Sequence, residues 1–238
     1  MLASCGGGQA DLSPQQRNPA SGIYSGADSF GNPSTVVITP DGHISSVTVS
    51  NGMASTVVSV STGAGSLTPI VFSSAYLDAY DPPTGQSLAG LMTVVYRQSV
   101  SIDVDFSYPF LRRTLSANIL PESFSQASAS SFPVASSASI YRPSGSIPPA
   151  QERATWALSA DGNSFSLSTP TCVLTGTLSP DPSINVHIAT ITGSPGCSIG
   201  DGTFTGFLWR DTPRGYAYAV MRPTGQRTLP PIIAAVKL

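Results

Sequence analysis

The sequence predicts an all-β protein, two consecutive antiparallel β-barrel or β-sandwich halves behind a flexible N-terminal tether. Three observations predict it. Short runs alternate apolar side chains with Ser and Thr, as in Ser164-Phe165-Ser166-Leu167-Ser168, which is the period of a half-buried strand. Asp-Gly, Pro-x-Gly and lone prolines interrupt these runs at about the 8–12-residue spacing of sandwiches and barrels. Charged residues are 10% of the chain, beside 22 glycines and 21 prolines. An ordinary soluble domain carries about 25% charge, so this surface must be made of hydroxyls and amides.

Residues 6–20 have no apolar periodicity and read as the tether. The folded part begins at Gly22-Ile23-Tyr24. Val36-Val37-Ile38-Thr39, the turn Pro40-Asp41-Gly42, and His43-Ile44-Ser45-Ser46-Val47-Thr48-Val49 read as strand, turn, strand, because Asp-Gly supplies the positive φ that a tight hairpin needs. Further strands are expected near residues 55–61, 67–73, 88–96, 100–108 and 114–120. The most helix-like stretch is 75–80. The hairpin device recurs where Thr155-Trp156-Ala157-Leu158-Ser159 enters Asp161-Gly162-Asn163 and leaves along residues 164–168. Strands then follow near 172–178, 185–192, 203–210, 215–222 and 231–237.

Between the halves, 8 of the 17 residues in 123–139 are serine, a composition with little to bury. The expected boundaries are therefore 1–20 for the tether, 21–122 for an N-terminal β domain, 123–139 for a Ser-rich linker and 140–238 for a C-terminal β domain. Net charge is −2 and the basic residues are scattered. No electrostatic footprint for nucleic acid exists, and none is expected as a partner.

At the N-terminus, Leu2-Ala3-Ser4-Cys5 runs into Gly6-Gly7-Gly8. This order resembles the lipobox of bacterial lipoproteins, and the resemblance implies that Cys5 is the lipidation site and the mature N-terminus. Met1 to Ser4 precede it, so the resemblance also implies a longer precursor with a basic segment and an apolar run. In diderm bacteria an aspartate after the cysteine retains such proteins at the inner membrane. Gly6 stands there instead, which implies the outer membrane.

With Cys5 assigned to lipid, Cys172 and Cys197 remain for each other. A disulfide between them would add about 3 kcal/mol in the chain-entropy picture. Two buried free thiols are the alternative, since cysteine is a common small core residue. Neither cysteine stands in C-x-x-C or near a histidine at ligand spacing, and no metal or other cofactor is expected.

Other candidates for chemistry are weaker. Gly196-Cys197-Ser198-Ile199-Gly200 matches the G-x-S-x-G elbow of α/β-hydrolases. No helix pattern follows Ser198 and no histidine lies beyond His187, so a glycine-rich loop is expected. His43, directly after the Asp41-Gly42 turn, is expected to be a solvent-facing hairpin residue, and His187 a surface or partly buried strand residue pointing opposite to Val186 and Ile188. Asp103 and Asp105 share one strand face, opposite Ile102, Val104 and Phe106; a solvated face is expected rather than Ca²⁺ or acid–base chemistry. The aromatic residues, among them Tyr96, Trp156, Trp209, Tyr216 and Tyr218, are expected chiefly in cores, with exposed tyrosines marking a protein-binding patch.

The anchored, two-part β organisation is similar to surface lipoproteins with paired small β-barrels, the factor-H-binding and transferrin-binding types. That similarity implies a non-enzymatic binding or surface-interaction module, held by outer-membrane lipid through Cys5 and facing an extracellular or periplasmic protein. The alternatives are a periplasm-facing lipoprotein for envelope assembly or small-ligand carriage and, more remotely, a serine hydrolase using Ser198.

Overall fold

The computed structural model describes residues 19–40, 42–50, 53–60, 71–81, 86–107, 112–142, 150–194, 197, 202–224 and 232–238. Among them, sixteen strands close into two eight-stranded barrels, each joined up and down in chain order. The first contains β1 (Gly22–Asp28), β2 (Pro33–Ile38), β3 (His43–Ser50), β4 (Met53–Val60), β5 (Val71–Asp81), β6 (Gln86–Arg97), β7 (Ser101–Ser107) and β8 (Arg112–Ile119). Pairing of β1 with β8, Tyr24 opposite Ile119, closes it. The second contains β9 (Ala135–Arg142), β10 (Ala150–Leu158), β11 (Ser164–Ser168), β12 (Val173–Pro180), β13 (Val186–Gly193), β14 (Gly202–Asp211), β15 (Tyr216–Pro223) and β16 (Ile232–Lys237). Here β16 pairs with β9, Ala234 opposite Ile140. Both halves are thus barrels rather than sandwiches. Closure removes the open edges through which sheets aggregate.

The hairpins form where Asp-Gly predicts them. Gly42 has φ +88° and Gly162 has φ +72°, values that glycine adopts without a Cβ penalty. At the second hairpin the Asp161 carboxylate accepts the Asn163 N–H at 3.1 Å. Residues 75–80, the helix-like stretch, lie within β5, where Leu77, Asp78, Ala79 and Tyr80 pair with β6 beyond a register shift between Ser74 and Leu77. Six residues are too few to nucleate a helix against a ladder already on offer.

Alternation gives each strand its inside and outside. In β12, Leu174, Gly176 and Leu178 face in, while Val173, Thr175, Thr177 and Ser179 face out. The interior of the second barrel is filled: Trp156 stacks on Phe165 with ring centroids 4.7 Å apart, and Leu167, Leu174, Phe204 and Met221 complete the packing. An eight-stranded barrel is about wide enough for side chains to fill it in this way. Outside, Thr175 lies opposite Thr192, Thr177 opposite Thr190, Thr190 opposite Thr205 and Thr192 opposite Thr203. All six threonines are exposed. Such a face suits water, and a lipid-facing barrel wall would carry apolar side chains there.

Among the described residues, β2, β3, β15 and β16 break the alternation: each is buried over most of its length, because their outward sides meet the other barrel. Ile23, Val37 and Val47 from the first barrel pack with Val186, Trp209, Tyr218, Val220 and Ile233 from the second as a third core. The seam is therefore a hydrophobic interface between two already closed cores.

The connector between the barrels is packed as well. It contains two 3-10 turns, Pro121–Phe124 and Ala129–Ser131. Ser123 is buried, and its Oγ accepts the Ile23 N–H at 3.0 Å and donates to the Ile23 carbonyl at 2.8 Å. Its own carbonyl accepts the Asn185 N–H from the second barrel at 2.8 Å. Residues 135–139, assigned by composition to the linker, form the first part of β9. Alternation within Ser136-Ser137-Ala138-Ser139-Ile140 is masked by so much serine, yet Ala138 and Ile140 face the core.

Candidate functional site

Cys5 and residues 1–18 lie outside the described residues, as do Asp41, Gly196 and Ser198. Cys172 and Cys197 form a disulfide, with Cα atoms 4.8 Å apart. It ties the β11–β12 connection to the β13–β14 connection at one end of the second barrel, and both cysteines are buried within that barrel's core. Replacing both by Ser should lower stability by about 3 kcal/mol through the freed denatured chain. Urea denaturation of the wild type with and without reductant, beside the double variant, checks this; coincident midpoints for all three would refute it.

Asp103 and Asp105 do share the outer face of β7, opposite buried Ile102, Val104 and Phe106. Each already has a partner. Asp103 accepts from the Ser116 hydroxyl at 2.6 Å, and Asp105 accepts from Arg112 Nε at 3.0 Å and is ion-paired with that guanidinium. The Arg112 hydrogen bonds hold the Asp105 carboxyl below the usual carboxylate range, against a small opposing effect of burial. The arrangement is an exposed cross-strand pair. Among the described residues no group of three or more His, Cys, Asp or Glu gathers as metal ligands would.

Both histidines depart from expectation. His43 is half-buried in the seam, edge-on to Phe207 at a centroid distance of 6.2 Å, because the outer face of β3 is covered by the second barrel. His187 is 1% exposed. Its strand points His187, Ala189 and Ile191 inward, while Ile188 is 43% exposed on the outer wall. Hydropathy places Ile188 inside; register with β12 and β14 places it outside. Val186, also outward, is buried by the seam.

A buried polar cluster at the seam is one the sequence does not announce. Asp211, at the end of β14, is fully buried where the barrels meet. Its carboxylate accepts from the Ser25 hydroxyl at 3.3 and 3.2 Å and lies 3.2 Å from Arg214 Nη1. Arg214 Nη2 in turn donates to the Gly26 carbonyl of the first barrel. Beside them Trp209 Nε1 donates to Thr35 Oγ1 at 3.1 Å, and that hydroxyl donates to the Tyr24 carbonyl at 3.2 Å. Burial pushes the Asp211 carboxyl up, opposed by Arg214, Ser25 and Thr35. Burial, aided by the Asp211 charge, pushes the Tyr218 phenol up to about 12. A buried ion pair of this kind adds little net stability, and removing one partner strands the other's charge. Its effect here is to fix how β14 and β15 sit on β1 and β2. The available sequence signal is apolar continuity: Val36-Val37-Ile38, residues 217–221 and residues 232–236 read as strands buried on both faces.

A second buried ion pair lies within the first barrel. Asp28 and Arg113 are joined there, and Asp28 also accepts from Phe30 N at 2.9 Å and Asn32 N at 2.7 Å. Burial acts to raise the Asp28 carboxyl, but the Asn32 and Arg113 hydrogen bonds outweigh it and hold it below the ordinary range.

The aromatic residues divide among these cores. Tyr96 lies inside the first barrel and Trp156 inside the second, while Trp209 and Tyr218 lie in the seam. Tyr216 is 39% exposed and stacks on Tyr218 with centroids 6.1 Å apart. Comparison with family models, curated proteins and solved structures gives no match.

Proposed function

We propose that the chain is a non-enzymatic binding module of the cell envelope, anchored in the outer membrane by lipid on Cys5 and presenting a rigid double barrel to a protein partner. The observation that carries this reading is Leu2-Ala3-Ser4-Cys5-Gly6 followed by a tether-like stretch, joined to a fold with a disulfide. Disulfides persist in oxidising compartments, which agrees with export. The filled interior of the second barrel argues against carriage of a small molecule inside it and favours recognition by outer surfaces. More than one acyl chain on Cys5 would give a stable anchor, since each buried methylene contributes about 0.8 kcal/mol.

Expression with a lipoprotein leader in a diderm host, with metabolic labelling by an alkyne fatty acid, tests the anchor. Label on the wild type, and none on a Cys5→Ala variant that leaves the membrane fraction, is the expected result. An unlabelled wild type would overturn it. Protease treatment of intact cells then separates the two orientations: release of peptides from 22–238 supports a surface module, and protection until the outer membrane is breached makes the protein periplasm-facing.

A further inference from the structure

We propose that His187 is an acid-operated latch on one mouth of the second barrel: when its ring gains a proton, Phe132 leaves the mouth and the connector between the barrels comes away from the barrel end. His187 stands at the start of β13, inside the barrel and 1% exposed, and among the described residues neither ring nitrogen has a hydrogen-bond partner. Phe132, from the connector, meets the ring edge-on with centroids 5.1 Å apart and also packs against Trp156 at 6.2 Å. The connector is fastened to this mouth by few bonds. Trp156 Nε1 donates to the Pro133 carbonyl, Leu158 N to the Val134 carbonyl, and Asn185 N to the Ser123 carbonyl, each at 2.8 Å.

Among the described residues, an imidazolium in this position has no acceptor. Arg210, on the inner face of the neighbouring β14, is itself a cation and offers no acceptor, and its buried Nε has no partner among the described residues. Asp181, in the β12–β13 turn, already accepts from Ser183 N and Ile184 N. Glu122 of the connector accepts from Thr212, and Asp161, in the hairpin at this end, accepts from Ser159 and Asn163. Glu152 faces the same interior from the opposite mouth, alternating with Ala154 and Trp156. Burial holds the ring's proton affinity below that of an ordinary histidine. A ring released to water takes its proton near pH 6.5. The closed mouth is therefore favoured above that pH and loses ground below it, by about tenfold in the closed-to-open ratio per pH unit, until the ring titrates in place. Because Phe132 and Ser123 lie on one connector, opening at the mouth would loosen its hold between the barrels.

Hydrogen–deuterium exchange on the full chain from pH 7.5 to 4.5, corrected for the intrinsic pH dependence of exchange, tests the latch. The expected result is opening at the Leu158 and Asn185 amides that rises about tenfold per unit below pH 6.5 in the wild type and stays flat in His187→Leu and His187→Gln. Flat opening in the wild type, or an equal rise in either variant, would overturn it. Should neither variant fold, the ring proton signal of His187 in the wild type decides: titration with the Leu158 amide still protected overturns the latch, and titration coincident with loss of that protection supports it.

Discussion

Trp209→Ala is expected to separate the unfolding of the two barrels. The indole is buried in the seam and donates to Thr35 across it, so its removal should cost about 3–5 kcal/mol, the range for large aromatic truncations in cores. The distribution of that loss is more informative than its size. Trp209 belongs to neither barrel interior, and truncating it weakens the interface while leaving both interiors intact. Denaturant unfolding should change from one cooperative transition to two. Limited proteolysis should cut within 121–134 and yield two fragments that keep β circular dichroism. Trp156→Ala is the counterpart: it removes the ring stacked on Phe165 inside the second barrel, so that barrel should unfold first while the first barrel persists. A single unchanged transition in Trp209→Ala would refute the independence of the two cores.

Gly206→Ala is expected to be among the most damaging small substitutions in the chain. A Cβ at Gly206 would stand 1.8 Å from the Val220 carbonyl oxygen and 2.7 Å from the Met221 Cα of β15. These are backbone atoms of a paired strand, and no rotamer change can move them aside. The ladder from β14 to β15 must shift, which would break the register that brings Trp209 opposite Tyr218. Overpacking a core with a methylene typically costs about 1–3 kcal/mol; a clash with backbone belongs at or beyond the top of that range. Gly26→Ala should behave similarly in the first barrel, where the nearest atom is the Ser116 carbonyl oxygen at 1.9 Å. Thermal and urea midpoints of the two variants check this, and a midpoint for Gly206→Ala within error of the wild type would refute it. Both glycines occur where the backbone of a paired strand approaches closely, a use to which strand glycines are commonly put.

Legibility in the sequence followed the range of the interactions. Ser164-Phe165-Ser166-Leu167-Ser168 announced a strand with one buried face, and the structure gives β11 that face. Asp161-Gly162 announced its hairpin, since the requirement for positive φ is local. Alternation alone places Ile102, Val104 and Phe106 inside and Asp103 and Asp105 outside, as the structure has them. His187 reads as a surface or partly buried residue because hydropathy favours its neighbours Val186 and Ile188; it does point opposite to them, but pairing on both sides of β13 turns its side of the strand into the core. Serine obscured the first part of β9 because hydroxyl side chains report neither face clearly. The Asp211 cluster joins Ser25 to a carboxylate 186 positions away, and no local pattern encodes that pairing.

By itself the sequence determined the all-β class, the hairpins and the facing of strands such as β7 and β11, because these follow from backbone sterics and side-chain period. The tertiary structure decided that both halves close as barrels, that β2, β15 and β16 bury their second faces in a seam, and that His187 lies inside under Phe132. Closure and docking depend on which distant strands meet, and a strand's hydrophobic period says which faces must be covered without saying what covers them.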